Sequence, residues 1–203
     1  MCLETELKFY CSDFKELRDK LVILGADFKS RFFEENIVFD TPDRSLRSRG
    51  ALLRLRSSGA NVLCFKETLA DSNEEVKTRR EIETGVEDFG KTRSILEGLG
   101  YRAVLFYEKV REKWLTGTCV VCLDKLPFGN FVEMEGLQDE IYRCASHLGL
   151  LKKDSTAKSY HELNREYRRQ QGLPQNESFV FTEPLRSKLI HELQSDNFQP
   201  ETL

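Results

Sequence analysis

Hydrophobic and polar residues alternate strictly in the first segment of the chain, where residues 3–9 read L-E-T-E-L-K-F. A period of two is typical of a β-strand whose two faces meet different environments. Comparable stretches recur and predict seven further strands, at 31–40, 51–57, 62–67, 76–83, 101–115, 119–124 and 130–135. Nearly every one of these strands carries charged residues on one face and apolar residues on the other.

Between the strands, apolar residues recur at helical spacing. Phe14, Leu17, Leu21 and Leu24 are three or four positions apart, and Gly25 follows as a stop signal. The same reasoning predicts further helices, at 86–98, 137–148 and 154–169. Short links favour antiparallel pairing of consecutive strands, and eight strands are enough to close on themselves. We therefore expect an α+β fold, a closed eight-stranded antiparallel β-barrel with helices packed outside.

The length of 203 residues corresponds to one domain, which we place at residues 1–170. Residues 171–203 are weakly patterned and contain three of the five prolines. Four apolar residues at helical spacing, Leu185, Leu189, Ile190 and Leu193, predict one short helix there. We interpret this region as a C-terminal tail, and we expect its removal to leave the activity largely intact.

The charge balance narrows the classes of partner. A net charge of −3, from 31 Lys+Arg and 34 Asp+Glu, argues against a general nucleic-acid-binding protein, which would be basic. No apolar run approaches the roughly 18 residues of a membrane span, and the N-terminus lacks the pattern of a signal peptide. We therefore expect a cytoplasmic protein with no membrane partner, in which the six cysteines are free thiols.

The charged strand faces have two explanations. In an open sheet they would face the solvent. In a closed barrel they would line the interior, where buried like charges need counter-ions. Carboxylate oxygens suit Mg²⁺ or Mn²⁺, and Lys and Arg side chains suit phosphate oxygens. A metal-bound polyphosphate is the ligand that an interior charged face would accommodate.

The motifs on the charged face resemble those of a known family. Glu4-Thr5-Glu6-Leu7-Lys8 resembles the E-x-E-x-K signature of the CYTH superfamily, also called triphosphate tunnel metalloenzymes. Further motifs resemble those of the family and follow in the same order along the chain. They are F-D-T-P at 39–42, L-R-L-R at 53–56, Lys66, R-R-E-I-E at 79–83, E-K-V-R at 108–111, L-D at 123–124, the stretch 129–136, and K-S-Y at 158–160. The resemblance covers about residues 2–168 and is strongest to the class IV adenylyl cyclase-like group.

The resemblance implies a closed tunnel in which a divalent metal, Mg²⁺ or Mn²⁺, assists chemistry on a triphosphate. It implies that the catalytic acidic residues also hold the metal, with two further carboxylates assisting: Glu4, Glu6, Asp124, Glu133 and Glu135, together with Glu81 and Glu83. It assigns phosphate binding to seven cationic residues: Lys8, Arg54, Arg56, Lys66, Arg79, Lys109 and Arg111.

Three functions stay open at this point. A cyclase would convert ATP to cyclic AMP and pyrophosphate, and a triphosphatase would hydrolyse an inorganic or organic triphosphate. A polyphosphate-binding module without turnover is the third. Val38 stands where many relatives have a Tyr that some hydrolases use beside a catalytic Lys, which weakens a Tyr–Lys-assisted hydrolysis. ATP or another triphosphate is the expected partner, and a homodimer is one option for the assembly.

Overall fold

The computed structural model describes the backbone of residues 2–68 and 77–195 and the side chains of residues 5–68 and 80–195. A polar loop that the sequence predicts at 70–75 lies outside the described residues. The described strands are β1 (Cys2–Cys11), β2 (Asp27–Asp40), β3 (Ala51–Ser57), β4 (Asn61–Thr68), β5 (Lys77–Val86), β6 (Arg102–Thr116), β7 (Cys119–Leu126), β8 (Gly129–Glu135) and β9 (Ser155–Thr156). The described helices are α1 (Lys15–Ile23), α2 (Ser45–Ser48), α3 (Phe89–Gly98), α4 (Gln138–His147), α5 (Tyr160–Gln170) and α6 (Glu183–Ser195).

All nine strands belong to one antiparallel sheet in the order β5-β4-β3-β2-β6-β7-β8-β1-β9. The first half of β1, Cys2 to Glu6, pairs with β5, and its second half, Glu6 to Cys11, pairs with β8. The predicted α+β fold, with a large antiparallel sheet and helices packed on it, is confirmed. The eight long strands correspond one to one with the eight predicted strands.

The apolar faces of the strands pack against the helices, as the alternation predicts. Leu7 and Phe9 of β1 are each 1% exposed and lie in a core cluster with Trp114. Residues of α1 and α4, among them Leu21 and Ile141, cover this cluster. A second cluster places Leu96 of α3 against the outer faces of β2 and β3. Burial of these large side chains is the main favourable contribution to folding.

Many side chains on the charged strand faces are buried as well. Lys8 is 2% exposed although its chain neighbours Leu7 and Phe9 lie in the apolar core on the other face. Asp124 has no exposed surface, and Glu133 is 5% exposed. The interpretation of these faces as solvent-facing is therefore wrong for these three side chains, whereas Glu83 on β5 is 37% exposed.

Helix α5 begins later than the sequence predicts. Residues 155–156 pair with Lys8 and Phe9 of β1 instead of forming the first turn of a helix from residue 154. The helix starts after Ser159, whose hydroxyl accepts a hydrogen bond from the backbone N–H of Glu162. The Glu162 carboxylate accepts a hydrogen bond from the Ser159 backbone N–H in return, which completes a capping box.

The region after Gly172, interpreted above as a tail, packs against the sheet. Phe179 forms an isolated parallel bridge with Tyr107 of β6, and its backbone bonds with Phe106 and Glu108 measure 3.0 Å. Helix α6 follows and contacts β2. Phe179, Phe181 and Leu189 are each 4% exposed, so this region contributes to the hydrophobic core. None of the helices described in 2–68 and 77–195 has both the length and the apolar character to cross a membrane.

Candidate functional site

A cavity of about 280 Å³ lies between the charged strand faces and the start of α5. Its described lining consists of Glu6, Lys8, Leu52, Arg54, Arg56, Lys66, Glu81, Glu83, Tyr107, Lys109, Arg111, Lys113, Glu133, Glu135, Ser159, Tyr160, His161 and Phe179. Eleven of the fourteen site residues predicted from the sequence are in this set. Strand alternation explains the grouping, because residues two apart point to the same side of a strand.

The cavity lining is positively charged on balance. Its described residues include seven Lys and Arg side chains but only five Glu side chains. Interleaved opposite charges reduce the cost of burying each of them, but two cationic charges remain without a lining carboxylate. The lining therefore presents more cationic than acidic side chains to a ligand, and two buried acids behind it, Asp124 and Glu34, offset the excess charge.

Lys8 lies between two carboxylates at the centre of the cavity. Its Nζ is 2.9 Å from Glu6 Oε1 and 3.1 Å from Glu133 Oε2. Burial by itself would lower the pKa of Lys8, but the charges of Glu133 and Glu6 raise this pKa overall. Burial also disfavours ionisation of Glu133, yet Lys8 and Arg111 hold the pKa of Glu133 well below its usual range. Lys8 and Glu133 are therefore both charged at neutral pH.

Asp124 lies behind the lining and not on it. Its carboxylate accepts bonds of 2.7 and 2.6 Å from Arg111 Nε and Nη2 and one of 2.8 Å from the Tyr160 hydroxyl. Lys109 Nζ is 3.3 Å away. Both carboxylate oxygens accept hydrogen bonds, so Asp124 is placed to orient Arg111 and Tyr160. The resemblance implied a different role for Asp124, that of a catalytic residue and metal ligand.

The structure adds acidic and aromatic residues that the sequence analysis did not select. Glu34 of β2 is 1% exposed and lies 3.6 Å from Lys109 Nζ. Burial opposes its ionisation, but Lys109 and Arg111 lower the pKa of Glu34 to about 2. The Tyr160 ring lies over the ammonium groups of Lys8 and Lys109, at 5.2 and 5.6 Å. Glu34 sits in a Phe-rich stretch without charge alternation, so its inward orientation had no clear signal.

Arg54 and Arg56 project from β3 into the cavity. Their Nη2 atoms lie 3.5 and 3.3 Å from Glu83 Oε1. The Nε atoms of both are buried and find no hydrogen-bond partner among the described residues. Buried donors without partners are costly in a folded protein, so these two Nε groups add to the cost of burying the two side chains, which themselves line the cavity.

Cys64, Glu81 and Glu83 bring three candidate metal-ligand atoms within 4.8 Å of one another. Cys64 Sγ donates to Glu81 Oε1 at 3.1 Å, and Lys66 Nζ lies 3.0 Å from the same oxygen. Although burial opposes ionisation, Lys66 lowers the pKa of Glu81 to about 2. Burial raises the pKa of Glu135, which also lines the cavity. The positive charge of Arg111 lowers this pKa but does not cancel the effect of burial.

Two predicted site residues cannot be placed at the side-chain level. The side chains of Glu4 and Arg79 lie outside the described residues. Their backbones do pair with each other across β1 and β5, which puts both in register beside Glu6 and Glu81.

One end of the cavity is formed by rings. Tyr107, His161 and Phe179 pack against one another with ring centroids 5.0 to 5.2 Å apart. Burial lowers the pKa of His161, which favours its neutral form. The sequence analysis attached no role to these residues because their positions on β6, α5 and the C-terminal region are far apart along the chain.

Comparison with known proteins places this arrangement in a family. The chain is 30% identical over 173 residues to a Methanocaldococcus jannaschii protein provisionally named an adenylate cyclase, covering 79% of this chain and 98% of that protein. It is 29% identical over 175 residues to the adenylate cyclase CyaB of Aeromonas hydrophila, covering 79% and 87%.

A solved structure extends the likeness of fold over almost the whole chain. It is that of a Hippeastrum protein described as an adenylyl cyclase candidate with a dominant triphosphatase activity. The TM-score is 0.52 at 17% identity, and 99% of each chain is covered. The model of the CYTH domain matches residues 3–160, more than three quarters of the sequence. The chain therefore belongs to the CYTH domain family.

Proposed function

We propose that this protein is a divalent-metal-dependent enzyme that acts on a triphosphate inside the charged cavity. The observation that carries this proposal is the cavity lining of seven cationic and five acidic side chains. The reaction that we favour is cyclisation of ATP to cyclic AMP and pyrophosphate, in line with the names of the two sequence relatives.

The cationic side chains support a polyphosphate ligand. Arg54 and Arg56 line the cavity beside Lys66, and guanidinium and ammonium groups are the donors that phosphate oxygens accept from. Arg111 and Lys109 are held in place by Asp124, so their charges are oriented before a ligand binds. Preorganised charge of this kind stabilises the transition state of phosphoryl transfer, which needs positioning more than covalent assistance.

The acidic side chains fit a divalent cation. Glu81 and Glu83 already converge with Cys64, and Glu6, Glu133 and Glu135 reach the same cavity from β1 and β8. Such carboxylate oxygens are the ligands that Mg²⁺ and Mn²⁺ prefer. When bound, the ion would polarise phosphoryl oxygens and neutralise developing charge.

We also propose that the sheet forms a closed tunnel. Each of the eight long strands has an antiparallel partner on both sides, because β1 pairs with β8 and with β5. A continuous ring of strands explains why both faces of β1 are buried.

Hydrolysis of a triphosphate is the alternative reaction. The fold of the Hippeastrum protein carries a triphosphatase activity, so the same architecture is compatible with attack by water. Val38 is 5% exposed and offers no hydroxyl to assist a lysine, which argues against a Tyr–Lys-assisted hydrolysis here.

A product assay tests the proposal. The purified protein would receive ATP or inorganic triphosphate with Mg²⁺, Mn²⁺ or EDTA, and products would be separated by ion-exchange chromatography. We expect cyclic AMP and pyrophosphate from ATP, and their loss with EDTA. Arg56→Ala should lower turnover by about 10²-fold, the typical cost of removing one donor to the transition state. Arg93→Ala, on the exposed surface of α3, is the matched control.

Each of the other possible results would support a different function or contradict the assigned residues. Orthophosphate without cyclic AMP would establish a triphosphatase. Binding of triphosphate with no product from either substrate would favour the module without turnover. Full activity in EDTA, or in Arg56→Ala, would contradict the assignment of the metal or of the phosphate-binding residues.

A further inference from the structure

Residues 176–181, here called the strap, connect α5 to α6 and lie against the ring-lined end of the cavity. Ion pairs and hydrogen bonds fix the strap at its start. Glu177 accepts bonds of 2.7 and 2.8 Å from the two terminal nitrogens of Arg47 and one of 2.9 Å from Arg165. Its backbone oxygen lies 2.9 Å from His161 Nδ1. The strap is therefore held in a defined position beside the cavity.

The two phenylalanines of the strap contact different parts of the molecule. Phe179 lines the cavity and packs on the ring of Tyr107, with centroids 5.2 Å apart. Phe181 packs on Phe33 in a separate core cluster with Val110 and Leu189. Both side chains are 4% exposed, so they are equally buried but only Phe179 contacts the site.

Tyr107 connects Phe179 to the cationic lining. Its hydroxyl accepts a bond of 3.0 Å from Arg54 Nη1, whereas the other terminal nitrogen of Arg54 is 3.5 Å from the nearest oxygen of Glu83. The contact with the hydroxyl is thus the shorter of these two polar contacts, and it holds the guanidinium of Arg54 where this side chain lines the cavity. Phe179 and His161 close off two sides of the Tyr107 ring and limit its rotation.

We propose that the strap positions Arg54 for triphosphate binding through Tyr107, so that Phe179 and Tyr107 are positioning residues of the site. The inference rests on the proposed function, because it takes Arg54 as a phosphate ligand. The family model ends at residue 160, so the strap lies outside the part of the chain that the model matches. The tail expected to be dispensable becomes, on this inference, part of the binding site.

The test is calorimetric titration of the full chain with inorganic triphosphate. Tyr107→Phe keeps the ring and removes only the hydroxyl, and it should raise the Kd about tenfold, the order expected for a hydrogen bond to a charged group. Phe179→Ala should raise the Kd by a similar factor. The double variant should bind no more weakly than the weaker single variant, because both changes interrupt the same contact with Arg54.

Phe181→Ala is the matched control. It removes an equally buried ring from the same strap and should lower the thermal midpoint as much as Phe179→Ala does, while the Kd changes by less than about twofold. Equal weakening of binding by Phe181→Ala and Phe179→Ala would overturn the inference, since the strap would then act through stability alone. An unchanged Kd in Tyr107→Phe would also overturn it.

The Arg54→Ala variant distinguishes a failure of the strap inference from a failure of the assignment of Arg54 as a phosphate ligand. A large loss of triphosphate affinity in Arg54→Ala, with no effect of Tyr107→Phe, would refute the strap inference and leave the proposed function standing. An unchanged Kd in Arg54→Ala would refute the assignment of Arg54 as a phosphate ligand and the strap inference with it, whereas the product assay decides the proposed function independently.

Discussion

Individual buried charges in this protein are kept ionised by their neighbours and not by water. Glu34, Lys8 and Glu133 are each at most 5% exposed, and each lies within 3.6 Å of an opposite charge. Removing one member of such a group leaves the other members buried and uncompensated, which is strongly destabilising. The binding residues are thus also structural residues, and their variants need stability controls.

The low pKa of Glu34 predicts a loss of stability in acid. The pKa of Glu34 falls from its ordinary value of 4.5 to about 2, because Lys109 and Arg111 outweigh the effect of burial. The folded state therefore binds this proton more weakly than the unfolded state does. Its contribution to stability is complete above about pH 4.5 and is lost as the pH falls through about 2.

Urea unfolding of the wild type and of Glu34→Gln between pH 3.0 and 5.5 measures this contribution. The difference in unfolding free energy should be largest near pH 5.5 and should shrink as the pH falls. Glu16→Gln, whose side chain is 76% exposed, should give a small difference that does not change with pH. A constant difference for Glu34→Gln would show that the carboxylate is not stabilised by its ionic neighbours.

At the scale of elements, local sequence determines where the helices and turns lie. Gly59 in the turn between β3 and β4 has φ +83°, a conformation that glycine adopts without strain. Gly25 ends the turn after α1 with φ +69°. Both were recognisable as turn or stop signals. The start of α5 was not, because the competing pairing of residues 155–156 with β1 depends on a strand far away in the sequence.

The capping box of α5 predicts a measurable stability change. Ser159→Ala removes the hydroxyl that binds the backbone N–H of Glu162 and should lower the unfolding free energy by about 1 kcal/mol. Ser94→Ala in the exposed interior of α3 should be neutral or slightly stabilising, because alanine is the better helix former. Chemical denaturation of both variants checks this. An equal effect of the two changes would mean that the cap does not stabilise α5.

At the scale of the whole molecule, the strands and the C-terminal region form one structural unit. The strap bridges α2 and α5 through Glu177, and Arg186 of α6 forms ion pairs with Glu108 on β6 and Glu35 on β2. Two of the four core clusters contain C-terminal residues. This integration differs from the interpretation of the region as a tail, and the expectation that its removal leaves the activity intact stays a prediction.

Deletion of residues 173–203 should therefore destabilise the protein. It removes three side chains that are each 4% exposed, Phe179, Phe181 and Leu189. At about 1.5–3 kcal/mol per buried side chain, the loss is about 5–9 kcal/mol, comparable with the total stability of a typical domain. Thermal unfolding followed by circular dichroism should show a greatly lowered midpoint or no cooperative transition. A midpoint close to that of the full chain would contradict the packing described above.

The sequence by itself determined which residues share a strand face, because alternation is a local property of the backbone. Lys8 and Glu6, Arg54 and Arg56, and Glu133 and Glu135 could be paired in this way, and the order of motifs indicated the family. Only the tertiary structure decided that these faces are buried, because that depends on which strands pair across the chain. The same long-range pairing brings Tyr107 and Phe179 to the cavity and Glu34 against Lys109 behind it, and no local pattern marked these three residues.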